Sequence, residues 1–199
     1  MIIANAKNKP GRGFISRAED KLFGAVRGFG FDFRHKTVLD IGSSTGGFTD
    51  LALKLGAKKV IAVEKGTHQM KAPLRFDKRV ELHEKTDIFE FPLEFDFDVV
   101  VADVSFVSLR EVLSYVKNKV TLVQLKNLDF LVMLKPQFEA NPEQLVKGIV
   151  KNEKIRRDLI QNFEQWLKNN GFLIIKKRDN DIKGAHGNLE RFYYLKIAK

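Results

Sequence analysis

A carboxylate precedes a glycine-rich turn in the segment TVLDIGSSTGGFTD, residues 37–50. An apolar strand that runs into such a turn and then a helix is typical of nucleotide sites. The glycines, Gly42, Gly46 and Gly47, lack the G-x-G-x-x-G spacing of dinucleotide sites. A carboxylate at Asp40 would also repel a pyrophosphate. The pattern therefore opposes a dinucleotide oxidoreductase, which remains a rival interpretation, and favours a ligand that is cationic at this end.

S-adenosyl-L-methionine (SAM) is such a ligand, because its ammonium and carboxylate stand side by side and it carries no phosphate. We expect Asp40 to attract the ammonium and the backbone N–H groups at the helix start to hold the carboxylate. Glu64 suits the two ribose hydroxyls as a bidentate acceptor, and Asp87 suits the adenine amino group. The predicted cofactor-binding residues are Asp40, Gly42, Ser43, Ser44, Thr45, Gly46, Gly47, Phe48, Glu64, Lys65, Asp87, Ile88 and Asp103.

Two further charged residues, Asp103 and Lys135, fall where predicted strands end. Transfer of a methyl group to a hydroxyl needs alignment and a base, and a lysine can be that base if its pKa is lowered by desolvation or a second cation. Lys21 could supply the cation, and Asp103 and Glu190 could orient the two amines. The plainer interpretations are a solvated helix lysine at Lys21 and an edge-strand charge at Glu190, and neither residue would be selected without the family resemblance described below.

The elements that must position these residues alternate along the chain. Strand patterns occur at TVLDI, KKVIAVE, VELHE, FDVVVADV, FLVML, GFLIIKK and RFYYLKI. Helical patterns start at Ser16, in capping-box spacing with Glu19, and cover GGFTDLALKLG, VSLREVLSYVKN and NEKIRRDLIQNFEQWLKNNG, in which Trp166 is expected to be a core residue. This order predicts a Rossmann-like α/β fold: a mostly parallel seven-stranded sheet, helices on both faces and an antiparallel edge hairpin.

The composition limits the classes of protein to which the chain can belong. The 199 residues include no cysteine, which excludes disulfides, Cys-ligated zinc and thiolate nucleophiles, a cysteine-dependent C5-pyrimidine methyltransferase among them. ADVSF stands where exocyclic amino methyltransferases typically have an Asn/Asp-Pro-Pro-aromatic turn. The net charge of +10 favours an anionic partner. We expect a flexible basic arm over residues 1–13, one domain over 14–199, a cytoplasmic location, no membrane contact and no metal; the oligomeric state is left open.

At five segments the chain resembles the TlyA, or haemolysin A, family of FtsJ-like ribosomal RNA methyltransferases. The segments are SRAEDKL, LDIGSSTGGFTD, VVADVSFVSL, LVMLKPQFEA and GNLERF. The resemblance implies a SAM-dependent class I methyltransferase fold and methylation of ribose 2′-hydroxyls in ribosomal RNA. It also implies a catalytic tetrad of Lys21, Asp103, Lys135 and Glu190, with Lys135 activating the hydroxyl and the other three positioning it.

Departures from the family pattern keep other functions open. We expect the chain to lack the S4-type RNA-binding domain with which members usually begin, because 199 residues are too few to hold it as well. Ala18, Glu19 and Asp20 precede Lys21 where small residues are usual, and NPEQLVKGIVKN has one glycine where a pair is common. A SAM-binding protein with a small-molecule substrate or a lost methylation activity is the main alternative, and a membrane-lytic haemolysin is a further one.

If ribosomal RNA or a ribosomal subunit is the partner, its phosphates must meet a basic rim around the pocket of Asp103 and Lys135. The candidate rim residues are Lys7, Lys9, Arg12, Arg17, Lys65, Lys71, Lys147, Lys151 and the loop from Lys176 to Lys183 with His186.

Overall fold

A computed structural model describes residues 16–184 and 187–198 of the chain. The predicted basic arm over residues 1–13 and the candidate His186 lie outside these described residues. The strands are β1 (Thr37–Ile41), β2 (Lys59–Glu64), β3 (Val80–Glu84), β4 (Val99–Ala102), β5 (Asp129–Leu134), β6 (Phe172–Asp179) and β7 (Arg191–Ile197).

These seven strands form one sheet in the order β3-β2-β1-β4-β5-β7-β6. The five strands from β3 to β5 are parallel, and β7 runs antiparallel to both β5 and β6. The predicted mostly parallel sheet with an antiparallel edge pair is confirmed. The detail that the sequence did not indicate is the insertion of β7 between β5 and β6, which brings residue 190 back beside the end of β5.

Six helices cover the sheet within the described residues: α1 (Arg17–Phe29), α2 (Gly47–Lys54), α3 (Ala72–Arg75), α4 (Leu109–Lys119), α5 (Leu122–Asn127) and α6 (Glu153–Asn169). One apolar cluster joins α1 and α2 to one face, through residues such as Leu22 and Leu51. A second cluster joins α4 and α6 to the other face, through Val112 and Phe163. Helices therefore lie on both faces, as predicted, whereas the short helices α3 and α5 had no sequence prediction.

The start of α1 was predicted from a Ser–Glu pair at capping spacing. Ser16 does cap the helix, since its hydroxyl accepts a hydrogen bond from Glu19 N at 3.4 Å. The Glu19 carboxylate is fully buried and receives Lys54 Nζ of α2 at 2.7 Å. Glu19 thus joins two helices, a contact between residues 35 apart in the chain that no local pattern contains.

Trp166, predicted as a core residue, is partly buried and packs against the second apolar cluster. Its ring stacks on Phe163 at 6.1 Å and on Phe172 at 5.9 Å between centroids. Asp103 and Lys135, which were predicted to end two strands, lie one residue beyond them, because β4 ends at Ala102 and β5 at Leu134. Asp103 and Lys135 are therefore the first residues of the loops that follow.

Candidate functional site

A cavity of about 370 Å³ lies at the carboxyl edge of the sheet, between α1, the glycine turn and the loops after β4 and β5. We call it the tetrad cavity, because Lys21, Asp103, Lys135 and Glu190 all line it. Its other lining residues are Ser16, Arg17, Ala18, Gly42, Ser43, Ser44, Thr45, Gly47, Phe48, Ser105, Phe106, Gln137, Phe138, Gly184 and Asn188. The fold thus brings together four charged residues from positions 21 to 190.

The first pair in this cavity joins neighbouring parallel strands. Lys135 Nζ lies 2.6 Å from Asp103 Oδ1 and donates a hydrogen bond to Ser105 Oγ at 2.8 Å. The two charged side chains are 12% and 18% exposed, so the pair is largely withdrawn from water while still reaching the cavity. β4 and β5 pair in parallel register, which is why both residues emerge at the same edge.

The second pair joins α1 to the start of β7. Lys21 Nζ donates a hydrogen bond to Glu190 Oε2, and the two side chains are 10% and 4% exposed. Asn180 Nδ2 donates to the same Glu190 oxygen at 3.2 Å. Asn180 is itself buried, so the Glu190 carboxylate has a fixed orientation. Lys21 is therefore not a solvated helix lysine, and Glu190 is not an exposed edge-strand charge.

A second and larger cavity, of about 690 Å³, adjoins the first. The two share Gly42, Ser44, Asp103, Ser105 and Phe106. Among the residues predicted to bind a cofactor, Glu64, Lys65, Asp87 and Ile88 line only this adjoining cavity, while Ser43, Thr45, Gly47 and Phe48 line only the tetrad cavity. Asp40 and Gly46 line neither of the two.

Two carboxylates face the adjoining cavity from the ends of β2 and β3. Glu64 accepts hydrogen bonds from Ser44 N at 2.8 Å and Gly66 N at 2.6 Å, which ties the glycine turn to β2. Asp87 accepts from Lys65 Nζ at 2.7 Å. The hydrogen bond from Lys65 is the largest cause of the lowered pKa of Asp87, so the residue is ionised at neutral pH. Both groups remain acceptors, and each carboxylate oxygen has lone pairs beyond those in use.

Asp40 lies behind the glycine turn, fully buried. Its Oδ2 accepts a hydrogen bond from Thr49 Oγ1 at 2.6 Å, while Oδ1 has no hydrogen-bond partner among the described residues. Burial raises the pKa of Asp40 to about 7, and the nearby charges of Asp103 and Glu64 act in the same direction. A buried carboxyl whose pKa is raised close to neutrality is a recurrent property of functional sites.

Close packing of the turn explains the glycines. Gly42 has φ of +77°, and a Cβ there would lie 3.1 Å from Asp103 O, which would press the turn away from the loop after β4. Gly46 has φ of +91°, and a Cβ there would collide with Leu74 Cδ1 of α3. Only glycine meets both the backbone conformation and the space.

Aromatic side chains at the mouth of the site were not predicted. Phe106 is 92% exposed, lines both cavities and has φ of +65°, a conformation that is rare for a bulky residue. Its ring lies 5.3 Å from that of Phe138. Strain and exposure together are typical of a functional position. The available signal was their placement within ADVSF and KPQFEA, the segments that carry Asp103 and Lys135.

Glu139 is a second residue that the sequence did not indicate. Its buried carboxylate accepts hydrogen bonds from Ser108 Oγ and Leu109 N, both at 2.8 Å, and lies 3.3 Å from Arg110 Nε. Burial is the largest cause of its raised pKa. Because Ser108 caps α4, Glu139 connects the end of the Asp103 loop to the end of the Lys135 loop.

The predicted rim residues divide into paired and unpaired cations. Lys65, Lys177 and Arg178 form ion pairs with Asp87, Glu164 and Asp181, and Lys176 Nζ donates to Phe29 O. Lys71 is exposed. Within residues 16–184 and 187–198, Arg17, Lys147, Lys151 and Lys183 are exposed and have no ion pair. Lys7, Lys9, Arg12 and His186 lie outside the described residues.

Two other kinds of feature are absent from the part of the chain that the structure describes. That part holds no helix with the length and apolar character needed to cross a bilayer. Nor does it hold a group of three or more His, Asp or Glu side chains arranged to bind a metal ion.

The chain is similar to known proteins over nearly its whole length. The family described as "FtsJ-like methyltransferase" matches residues 14–197. The 23S rRNA (cytidine-2′-O)-methyltransferase TlyA of Campylobacter jejuni is 37% identical over 183 residues, which are 91% of this chain and 70% of that protein. Hemolysin A of Brachyspira hyodysenteriae is 38% identical over 183 residues, 89% of this chain and 74% of that protein.

A solved structure is similar in the same way. A Streptococcus thermophilus protein assigned as a hemolysin superposes with a TM-score of 0.87 at 32% identity, covering 97% of this chain and 70% of that one.

Proposed function

Since the chain belongs to the FtsJ-like methyltransferase family, we propose that it transfers a methyl group from SAM to a ribose 2′-hydroxyl of ribosomal RNA. The observation that carries the proposal is the tetrad cavity, in which two lysine–carboxylate pairs face one space next to an acceptor-lined cavity. The site residues and their roles are part of this proposal.

The adjoining cavity fits the adenosine half of SAM. Glu64 can accept from the ribose hydroxyls, and Asp87 lies beyond it along the sheet edge, where it can accept from the adenine amino group. Ile88 and Phe89 supply apolar surface for the adenine ring.

The glycine turn fits the amino-acid half. Ser43 Oγ and Asp40 Oδ1 are buried and have no hydrogen-bond partner among the described residues. Both atoms can therefore form hydrogen bonds with a ligand at this turn. Buried polar groups nearly always have a hydrogen-bond partner. The ammonium of SAM could donate to Asp40 Oδ1, and its carboxylate could accept from Ser43 Oγ. When bound, SAM supplies a methyl group on a positively charged sulfur.

Lys135 is the residue that we assign to proton removal. Its amine lies in the tetrad cavity and is held by Asp103 and Ser105, two residues that line both cavities. With SAM bound, methyl transfer to the ribose 2′-oxygen would release the hydroxyl proton, and Lys135, once deprotonated, would take it up. Lys21, held by Glu190, lines the same cavity, where its ammonium can stabilise the developing oxyanion.

Phe106 offers a surface for the base of the target nucleotide. Its exposed ring, adjacent to that of Phe138, stands where the tetrad cavity opens. Stacking of a base on an aromatic side chain contributes about 1–3 kcal/mol and needs no particular base. A nucleotide turned out of its helix would thus be retained with its ribose toward Lys135.

Incubation with methyl-labelled SAM and purified ribosomal subunits or naked ribosomal RNA tests the proposal. We expect label in one or a few 2′-O-methylated nucleotides, located by mass spectrometry of nuclease fragments, and none with Lys135→Ala. Label in small molecules only, or SAM binding with no transfer to any ribosomal RNA, would overturn the assignment of substrate.

A further inference from the structure

Lys147 occupies a backbone position that normally selects glycine. Residues 146–149 form a tight turn closed by an antiparallel bridge, with Val146 N donating to Ile149 O at 2.9 Å and Ile149 N to Val146 O at 3.1 Å. Lys147 has φ of +52° and Gly148 φ of +75°. Left-handed backbone at two successive turn residues is disfavoured for a lysine. We call residues 146–149 the Lys147 turn.

A buried asparagine fastens the Lys147 turn to the wall of the tetrad cavity. Asn188 is 5% exposed and lines that cavity two residues before Glu190. Its Oδ1 accepts from Val150 N at 3.0 Å, and its Nδ2 donates to Gly148 O at 3.1 Å. The turn is therefore held at the rim of the site by both polar atoms of one rigid side chain.

The cations around the site differ in how they are neutralised. Where β2 and β3 end, Lys65 pairs with Asp87 and Arg75 with Glu84, whereas Lys85 has no ion pair among the described residues. Beside the tetrad cavity, Lys147 and Lys151 are exposed and have no ion pair in the described part of the chain. Glu143 is the only acid in residues 141–151.

The substrate's own chemistry requires a phosphate at this rim. The carbon that bears the ribose 2′-hydroxyl is bonded to the carbon that bears the 3′-phosphate, so a strand whose hydroxyl faces Lys135 must pass its phosphates over the edge of the tetrad cavity. An unneutralised lysine fixed at that edge is suited to contact them.

We infer that the RNA strand leaves the tetrad cavity across the Lys147 turn, where Lys147 contacts a backbone phosphate close to the methylated nucleotide. This inference rests on the proposed function and specifies the side on which the RNA binds. It also explains why a lysine occupies a position that favours glycine. The positive charge strengthens RNA binding, and this gain offsets the folding stability that the left-handed backbone costs.

Lys85 provides a matched control, because it has the exposure, the positive φ and the lack of an ion pair of Lys147 at a different place in the fold. It is exposed, has φ of +56° and no ion pair among the described residues, and follows β3 at the opposite end of the sheet. Lys147→Gly and Lys85→Gly each remove a cation and relieve the same backbone conformation. Both variants are therefore expected to fold at least as well as the wild type, which thermal unfolding checks. Lys147→Arg retains the charge.

The experiment measures binding of purified bacterial 23S ribosomal RNA at several KCl concentrations. We expect Lys147→Gly to lose affinity several-fold, to lower the slope of log K against log [KCl] by about one, and to bind SAM as the wild type does. Lys147→Arg and Lys85→Gly should match the wild type. Unchanged RNA affinity in Lys147→Gly, or equal losses in Lys147→Gly and Lys85→Gly, would overturn the inference while the wild type still methylates RNA. A wild type that neither binds nor methylates ribosomal RNA would overturn the proposed function, and this inference with it.

Discussion

Lys135 Nζ lies 2.6 Å from Asp103 Oδ1, and the two residues follow β5 and β4, which are neighbouring parallel strands. The pair forms because parallel strands end at the same edge of the sheet, and it places an amine in the tetrad cavity beside Asp103, which lines both cavities.

Replacement of Lys135 tests its role as the base. We expect Lys135→Ala to reduce methyl transfer by about 10²–10⁴-fold, the usual contribution of a positioned base. SAM affinity, measured by calorimetry, should stay within about twofold, since the residue faces the acceptor. Lys135→Arg is the matched control: it can keep the ion pair with Asp103 but cannot release a proton at neutral pH, so it should be equally inactive. Substantial transfer by the arginine variant would assign Lys135 to positioning alone.

Asp40 should make the stability of the fold depend on pH. Its pKa is raised from 3.8 to about 7 by burial, so between these values the folded chain holds a proton that the unfolded chain has released. The free energy of unfolding contributed by this group therefore falls as pH rises through that window. Denaturant titrations at several pH values should show a smaller decline for Asp40→Asn. An identical pH dependence in both proteins would contradict the assigned pKa.

The same residue is expected to support cofactor binding. Asp40→Ala removes the unpartnered carboxylate oxygen behind the glycine turn, and we expect SAM affinity to fall about tenfold, the loss typical of a charge-assisted hydrogen bond. Wild-type affinity should rise as pH increases through about 7, because only the ionised carboxylate attracts an ammonium. Affinity that is unaffected by both the substitution and pH would remove Asp40 from the proposed cofactor site.

Glu139 is expected to position the catalytic loops without contacting substrate. Glu139→Ala removes the acceptor of Ser108 Oγ and Leu109 N, so the loops that carry Asp103 and Lys135 lose their connection. We expect kcat to fall about tenfold or more while the KM for SAM changes little. Glu139→Gln keeps one acceptor oxygen and should restore much of kcat. A matching change in KM, or no recovery with glutamine, would argue against a positioning role.

Two glycines of the α1 region should respond oppositely to alanine. A Cβ at Gly24 would meet Asp181 Oδ2 at 3.4 Å, an ordinary contact, so Gly24→Ala is expected to stabilise the fold by up to about 1 kcal/mol. A Cβ at Gly47 would collide with Ser16 Oγ and lie 2.9 Å from Glu19 N, so Gly47→Ala should destabilise by about 1–3 kcal/mol. Thermal unfolding of both variants measures the difference, and a shift in the same direction would contradict the close packing of α1 on α2.

Much of the sheet was predictable from the sequence because its strands are short apolar runs separated by turn residues. The runs TVLDI, VELHE and RFYYLKI coincide with β1, β3 and β7. The parallel order implied a site at the carboxyl ends of the strands, which placed Glu64, Asp87, Asp103 and Lys135 at one edge. The pairing of Lys21 with Glu190 was suggested only by resemblance to a family, because 169 residues separate the two and no local pattern joins them.

Residue chemistry and local periodicity were enough to predict which residues carry charge, which segments form strands and which turn must be made of glycine. Tertiary structure alone decided that Asp40 is buried behind the turn, that Asn180 orients Glu190 and that Glu139 joins two loops. It also decided which lysines form ion pairs with acids and which are exposed without an ion pair. The physical reason is that burial, pKa and ion pairing depend on which residues are brought together by packing. Local sequence patterns do not show which residues these are.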